Sequence, residues 1–306
     1  MIDILIIGAG TAGLSAAIYV ERSGKHAVVL EELSYGGQII NTPDIQNYPG
    51  IEKISGYEFA VALYNQAVNL GADIEYEKAV NITNCKNEDG MTYKSVKCES
   101  GKEFQSRAVI IATGAKNRHL NIDDEERLSG NGISYCATCD GAFFKGRDVA
   151  VNGGGNTALE DAVFLSNYCS KVYIIHRREN FRGESKTLDL LAQKGNVYFI
   201  LNSKVTKLIG EKKLEAIDVT DVKTNEVKRI SVEGLFIAIG QKPDNNYFTN
   251  VIELDGNGYI KAGENCITET DGIFTAGDCR TKQVRQLTTA AADGAVAALA
   301  ACRSIG

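Results

Sequence analysis

Two cysteines three positions apart carry the most pointed chemistry in this sequence. Cys136-Ala137-Thr138-Cys139-Asp140 is the only Cys-x-x-Cys in a chain with eight cysteines and three histidines. The spacing lets a small disulfide ring open and close with little backbone movement, and a cysteine at a helix start is favoured as the thiolate, the reactive species. A structural zinc site would need a second pair, which the sequence lacks, so redox chemistry is the reading. Asp140 adds a carboxyl beside the pair. It can protonate a leaving thiolate where burial raises its pKa. The other cysteines (85, 98, 169, 266, 279 and 302) are scattered and read as small buried hydrophobes.

The second feature is a glycine pattern that occurs twice. Gly8-Ala9-Gly10-Thr11-Ala12-Gly13 follows the apolar run Ile2–Ile7 and precedes an Ala-rich helical stretch to about residue 22. The strand Ala27–Leu30 then ends at Glu31, 18 residues past the third glycine. Strand, G-x-G-x-x-G, helix, strand and acid form a dinucleotide-binding fingerprint. Gly8 permits the tight turn, Gly10 lets backbone approach a pyrophosphate, and Gly13 lets helix and strand pack closely. The helix start offers free N–H groups to phosphate, and Glu31 suits ribose hydroxyls.

The copy lies 145 positions later: a strand at 148–151, Gly153-Gly154-Gly155-Asn156-Thr157-Ala158, a helix, the strand Lys171–Ile175, then His176-Arg177-Arg178. It aligns without a gap, so that His176 takes the place of Glu31. Arg177 and Arg178, with Arg182 one turn on, suit a 2′-phosphate as guanidinium forks do and acids do not. The first site is therefore expected to take FAD or NAD, and the second NADP(H).

These residues need two α/β frames. At 306 residues the chain is long enough for two domains. Apolar residues are 44% and charged residues 24%, an ordinary globular balance that excludes disorder as the main state. A net charge of −6 with no basic run argues against nucleic acid. No apolar run approaches the roughly 20 residues of a membrane span. Met1-Ile2-Asp3-Ile4-Leu5 opens on a strand pattern with no basic leader, which predicts a cytoplasmic protein. Residues 73–104 read as an antiparallel meander. Residues 107–112, 235–239 and 273–276 read as buried strands ending in glycine or Gly-Asp, and 286–300 as a helix. The fold class is thus α/β with two Rossmann-like dinucleotide-binding domains, the second inserted in the first. The expected limits are 1–115 with 243–306 for the outer domain and 116–242 for the inner one, which carries the cysteine pair. Glycines at 114 and 240 mark the crossings as a double hinge.

Together the parts describe an electron path, from NADPH to a flavin, to the cysteine pair, and by thiol–disulfide exchange to an external dithiol. The chain resembles the bacterial low-molecular-weight thioredoxin reductases along essentially its whole length. The likeness rests on both glycine motifs, Gly36-Gly37-Gln38, Asn47-Tyr48-Pro49-Gly50, Ala112-Thr113-Gly114, the Cys136–Gly141 segment, His176-Arg177-Arg178, Thr275-Ala276-Gly277-Asp278 and Arg285-Gln286-Leu287. The resemblance implies FAD in the outer domain against Glu31, Gly37, Gln38, Asn47, Asp278 and Gln286. It implies NADPH against Gly155, Asn156, Thr157, Arg177, Arg178 and Arg182. It also implies Cys139 as the sulfur nearer the flavin, Asp140 as the acid, a homodimer, domain rotation during turnover, and thioredoxin or a similar small dithiol protein as partner. Asn156-Thr157 stands where Asp-Ser is commoner, and Asn152 where a small apolar residue is usual. A ferredoxin-dependent relative would lack the arginine cluster, and a reductase of a glutaredoxin-like protein would share nearly all of this chemistry.

Overall fold

The computed structural model describes residues 1–42 and 44–306. The chain opens with β1 (Ile2–Ile7), α1 (Thr11–Arg22), β2 (Ala27–Leu30), α2 (Gly56–Leu70), β3 (Asp73–Glu75), β4 (Ala79–Lys86), β5 (Thr92–Cys98) and β6 (Glu103–Ile111). A short strand β7 (Ala115–Asn117) leads to α3 (Glu125–Leu128), β8 (Ile133–Ser134), α4 (Ala137–Asp140), β9 (Asp148–Gly153), α5 (Asn156–Leu165), β10 (Lys171–Ile175), α6 (Ser185–Ala192) and β11 (Val197–Ile200). Then come β12 (Ser203–Ile209), β13 (Ala216–Asp221), β14 (Val227–Ser231), β15 (Gly234–Ala238), β16 (Gln241–Pro243), β17 (Ile273–Thr275) and α7 (Leu287–Ile305). Two compact units result: Met1–Lys116 with Lys242–Gly306, and Asn117–Gln241. The segments joining them pair as the ladder β16–β7.

In the first unit the sheet order is β3-β2-β1-β6-β5-β4, with β17 also on β6. The pairs among β1, β2, β3, β6 and β17 are parallel, and β4–β5–β6 is antiparallel. β1 is buried on both faces, which explains an apolar run rather than an alternation. Ile4 and Ile6 face the core shared with α1 and α7, while Leu5 and Ile7 face the core shared with β4, β5 and residues 248–260. Small residues let α1 and α7 approach closely. A Cβ on Gly294 would lie 2.2 Å from the Ala12 carbonyl oxygen, and Ser15 Oγ donates to Ala291 O at 2.7 Å. Two expectations need correction. β3 leaves the meander and pairs in parallel with β2. Gln286 precedes α7 as its N-cap, its side chain and Thr289 capping each other's backbone, and the helix runs on to Ile305.

The second unit repeats the frame with the parallel order β11-β10-β9-β15-β8. Val149, Val151, Val172 and Ile174 pack under α5. Ala150, Ile175, Leu235 and Ile237 face the antiparallel sheet β12–β13–β14. That sheet, which the sequence reading left unassigned, covers the face opposite α5 as β4 and β5 do in the first unit.

Candidate active site

The cysteine pair is delivered by β8. Its Ile133 and Ser134 pair with Leu235 and Phe236 of β15. The chain then turns through Cys136, which caps α4 in extended geometry, and the amides of Cys139 and Asp140 donate to Cys136 O at 3.2 and 3.1 Å. The two Cα atoms are 5.3 Å apart, and Cys136 and Cys139 form a disulfide. Cys136 Sγ meets Thr138 Oγ1 at 3.4 Å. Asp140 is half-buried, and its Oδ2 accepts from Ser134 Oγ at 2.6 Å. Burial pushes the Asp140 pKa up, with the Ser134 hydrogen bond working against it. The arrangement supplies a disulfide and a carboxyl disposed to hold a proton in one short segment. Upstream, Tyr135 OH donates to buried Glu125 at 2.8 Å, and Glu125 also accepts the Leu120 and Asn121 amides. Sequence reasoning missed this anchor and Ser134, because each is an ordinary polar residue until the fold brings it to its partner.

In the first unit, Gly8 has φ +107° and no space for a side chain, since a Cβ would fall 2.5 Å from Ala112 O. A Cβ on Gly13 would lie 1.8 Å from Gly8 O, so this glycine serves the contact of helix and strand. Gly10 differs: a Cβ there meets no atom within 4 Å. The protein's own packing does not require glycine at that place, whereas a phosphate against the α1 start would. Glu31 is less free than its pattern suggests, since Oε2 accepts from Ala9 N at 2.8 Å and Oε1 from Leu33 N at 2.9 Å. Gly36 N donates to Ala9 O at 2.8 Å, which lays the Gly36–Gly37 turn against Gly10. Gln38 reaches Ala115 O, and Asn47 Nδ2 reaches Gln286 Oε1 at 3.3 Å.

Gly277 and Asp278 sit in a short turn after β17. Among the described residues Oδ1 of Asp278 is buried with no hydrogen-bond partner, and burial raises its pKa. An orphaned buried acceptor calls for a donor that protein atoms do not provide, and a ribityl or ribose hydroxyl is such a donor. The residues around Gly10 and Asp278 therefore fit a dinucleotide. The turn rests on a buried network that sequence reasoning did not find. Arg280 is wholly buried and bidentate to Asp293 at 2.8 Å on both arms, Lys282 Nζ joins at 2.9 Å, and Gly277 N donates to Asp293 Oδ2 at 3.0 Å. Arg285 hydrogen-bonds backbone carbonyls of this loop, with its guanidinium 4.2 Å from the Tyr259 ring centroid, and Leu287 opens α7.

In the second unit Gly153 is a packing glycine, a Cβ on it falling 2.3 Å from Ala238 O. Gly155 has open space, as Gly10 does, and caps α5 in the same extended conformation. Asn156 lies in the first turn, not at the cap, and its Oδ1 accepts Glu184 N at 2.9 Å. Thr157 next to it is exposed. Arg177, Arg178 and Arg182 are exposed, and among the described residues none pairs with a carboxylate. Arg182 N donates to Gly154 O at 2.8 Å, bringing that residue back to the glycine turn. His176 is buried, its ring covering Gly154 and stacking on Phe181 at 5.0 Å. Asn152 is buried at the end of β9, and nothing in the structure explains it.

Two dinucleotide frames, one carrying a disulfide beside a proton-holding carboxyl, define a nucleotide-linked disulfide oxidoreductase. The chain belongs to the pyridine nucleotide-disulphide oxidoreductase family, whose pattern matches residues 2–294. It is 40% identical over 297 residues to a thioredoxin reductase of Bacillus subtilis, covering 97% of this chain and 92% of the relative. It is 41% identical over 305 residues to a 34.2 kDa protein in the rubredoxin operon of Clostridium pasteurianum, covering 100% of this chain and 97% of the relative. The crystal structure of thioredoxin reductase from Streptococcus pyogenes superposes with a TM-score of 0.93 at 37% identity, covering 99% of this chain and 98% of that one. The chain is thus a flavoprotein oxidoreductase of the thioredoxin reductase group.

Proposed function

We propose that this protein reduces the disulfide of thioredoxin, or of a similar small dithiol protein, with electrons from NADPH. The observation that carries the reading is the Cys136–Cys139 disulfide with half-buried Asp140 beside it, in the unit where Arg177, Arg178 and Arg182 follow β10 and, among the described residues, pair with no carboxylate. When bound, NADPH supplies a hydride and FAD passes the electron pair to a disulfide. The residues proposed to hold FAD are Gly8, Gly10, Gly13, Glu31, Gly36, Gly37, Gln38, Asn47, Gly277, Asp278, Arg285, Gln286 and Leu287. Those proposed for NADPH are Gly153, Gly155, Asn156, Thr157, Arg177, Arg178 and Arg182, the arginines binding the 2′-phosphate.

In the net reaction NADPH, a proton and the partner's disulfide become NADP⁺ and the partner's dithiol. Within this chain the S–S bond opens, one sulfur leaves as thiolate, and the Asp140 carboxyl gives it a proton. Deprotonated again, that sulfur attacks the partner disulfide and releases one partner sulfur as thiolate; the second cysteine then attacks the mixed disulfide, closing the Cys136–Cys139 ring and releasing the partner's other sulfur, and two protons complete the partner's dithiol. We further propose a cytoplasmic homodimer; no helix among the described residues is long and apolar enough to cross a membrane. Retention of the arginine cluster favours NADPH over a ferredoxin donor.

Anaerobic stopped-flow reduction with NADPH and NADH side by side tests the reading. Rapid flavin bleaching by NADPH and slow bleaching by NADH are expected, followed by turnover with oxidised thioredoxin. No bleaching by either nucleotide overturns the NADPH assignment in favour of a ferredoxin-type donor.

A further inference from the structure

Ser134 stands two residues before the disulfide, and its side chain touches both halves of the dithiol machinery. It is 4% exposed. Its Oγ accepts the Cys136 amide at 3.0 Å and lies 2.6 Å from Asp140 Oδ2. The hydroxyl has one proton and two acceptors in reach, Asp140 Oδ2 and, at 3.3 Å, Cys136 O. The shorter contact takes it, since O–H···O bonds to carboxyl oxygens are the stronger.

We propose that Ser134 is a positioning residue for the dithiol step: it ties the Asp140 carboxyl to the Cys136 backbone, holding Oδ2 as acceptor so that Oδ1 carries the transferable proton. Among the described residues Oδ1 has no hydrogen-bond partner. The inference rests on Asp140 being the acid. When electrons enter at Cys139, the S–S bond breaks and Cys136 leaves as thiolate. That thiolate takes the Oδ1 proton, and Asp140 becomes a carboxylate that Ser134 goes on holding until solvent returns a proton. Burial raises the Asp140 pKa, and the Ser134 bond works in the opposite direction. α5 packs on α4 and carries two more carboxyls, Glu160 and Asp161. Asp161 is pushed up to about 7, by burial first and by Glu160 second, and neither moves Asp140. The turn 141–144 between α4 and β9 has no ionisable side chain.

The test compares flavin-loaded Ser134→Ala, Ser134→Gly, Ser134→Thr and Asp140→Asn with the parent. For each, thioredoxin-dependent NADPH oxidation is measured from pH 6 to 10, with single-turnover flavin reduction by NADPH alongside. Turnover needs the protonated acid, so it falls as pH rises through the Asp140 pKa. Losing a hydrogen bond that favours the carboxylate should move this limb upward by about one pH unit in the Ala and Gly variants. Turnover at neutral pH should drop about tenfold through lost orientation. Thr should restore both, and flavin reduction by NADPH should not change. A limb that stays in place in the hydroxyl-free variants, with turnover unchanged, overturns the role of Ser134 provided Asp140→Asn has abolished the limb. A limb that survives in Asp140→Asn overturns the assignment of Asp140, and the inference with it.

Discussion

Gly153 and Gly155 differ in what a methyl group would meet, and this separates the fold from the cofactor. At Gly155 the backbone has φ −99° and ψ −177°, a conformation any residue adopts, and a Cβ meets nothing within 4 Å. At Gly153 a Cβ falls 2.3 Å from Ala238 O and 2.7 Å from Ala158 Cβ. Gly155→Ala weakens an N-cap by about 1 kcal/mol and recovers a similar amount by restricting the unfolded chain, so stability should stay within about 1 kcal/mol. Gly153→Ala must displace β15 or α5 and should cost about 1–3 kcal/mol or more. Binding should rank the other way for Gly155. On the proposed reading a pyrophosphate meets the α5 start, and a methyl there would remove one or two charge-assisted hydrogen bonds, each worth about 1.5–3 kcal/mol. The Kd for NADPH then rises at least about tenfold, and about 100-fold if close to 3 kcal/mol is lost. Equilibrium titration with NADPH and thermal unfolding of the same preparations read the two effects. Gly155→Ala should keep Tm within about 4 °C of the parent while losing nucleotide affinity. An unchanged NADPH affinity, or a loss of Tm as large as that of Gly153→Ala, would refute the argument that this glycine serves a ligand.

Replacing Arg177 and Arg178 together by Ala should lower the preference for NADPH over NADH about 100-fold in flavin-reduction rates at subsaturating nucleotide, with little change in the NADH rate; equal losses with both nucleotides would count against 2′-phosphate binding. Asp140→Asn should leave NADPH-driven flavin bleaching intact and reduce thioredoxin turnover about 100-fold, as expected for loss of a general acid. Burial pushes the Asp293 pKa up, but Arg280 and Lys282 overcome it and hold the carboxyl below its ordinary value. Its stabilisation is therefore complete above the unfolded value of about 4 and is lost as pH falls through the lower folded value. Asp293→Asn leaves buried Arg280 with only the exposed Glu264, 3.3 Å away, as its carboxylate partner and takes away the partner of Lys282, and should cost about 3 kcal/mol in urea unfolding at pH 7. The parent's advantage over this variant should shrink below about pH 4.

The elements that carry chemistry were legible because their patterns are local. β1 and β2 lie where apolar runs end in a glycine or an acid, and Cys136–Asp140 falls in one turn. What escaped reading is what the sheet assembles from a distance. β12–β14 carry no function-bearing motif, only β12 alternates buried and exposed residues clearly, and their place is fixed by the face of β9, β10 and β15 that they cover. β3 is three residues long and owes its parallel pairing to β2. Arg280 and Asp293 are 13 positions apart on different elements and reveal themselves only as a buried pair. α2 was readable and went unread, since Ser55 and Glu58 form a reciprocal cap at spacing three.

The aligned copies show how one frame is specialised at a single point. Ala9 and Gly154 are equivalent residues of the two glycine turns, and Glu31 and His176 are equivalent ends of the second strands. In the first unit Glu31 accepts the Ala9 amide at 2.8 Å, so the acid braces the turn by hydrogen bonding. In the second unit the His176 ring lies flat enough on the turn that a Cβ on Gly154 would fall 2.1 Å from His176 Cε1. Packing replaces the hydrogen bond, which explains why the middle residue of the second motif is glycine and that of the first is alanine. Burial holds the His176 pKa down; the Asn180 carbonyl works against it, but Arg182, Arg177 and Arg178 push down again, so the net shift favours the neutral ring beside the three guanidinium groups. A carboxylate in that place would draw those cations to itself. A neutral ring braces the turn and leaves their charge for an anion, so the exchange of Glu31 for His176 and the arrival of Arg177 are one change in the electrostatics of the site.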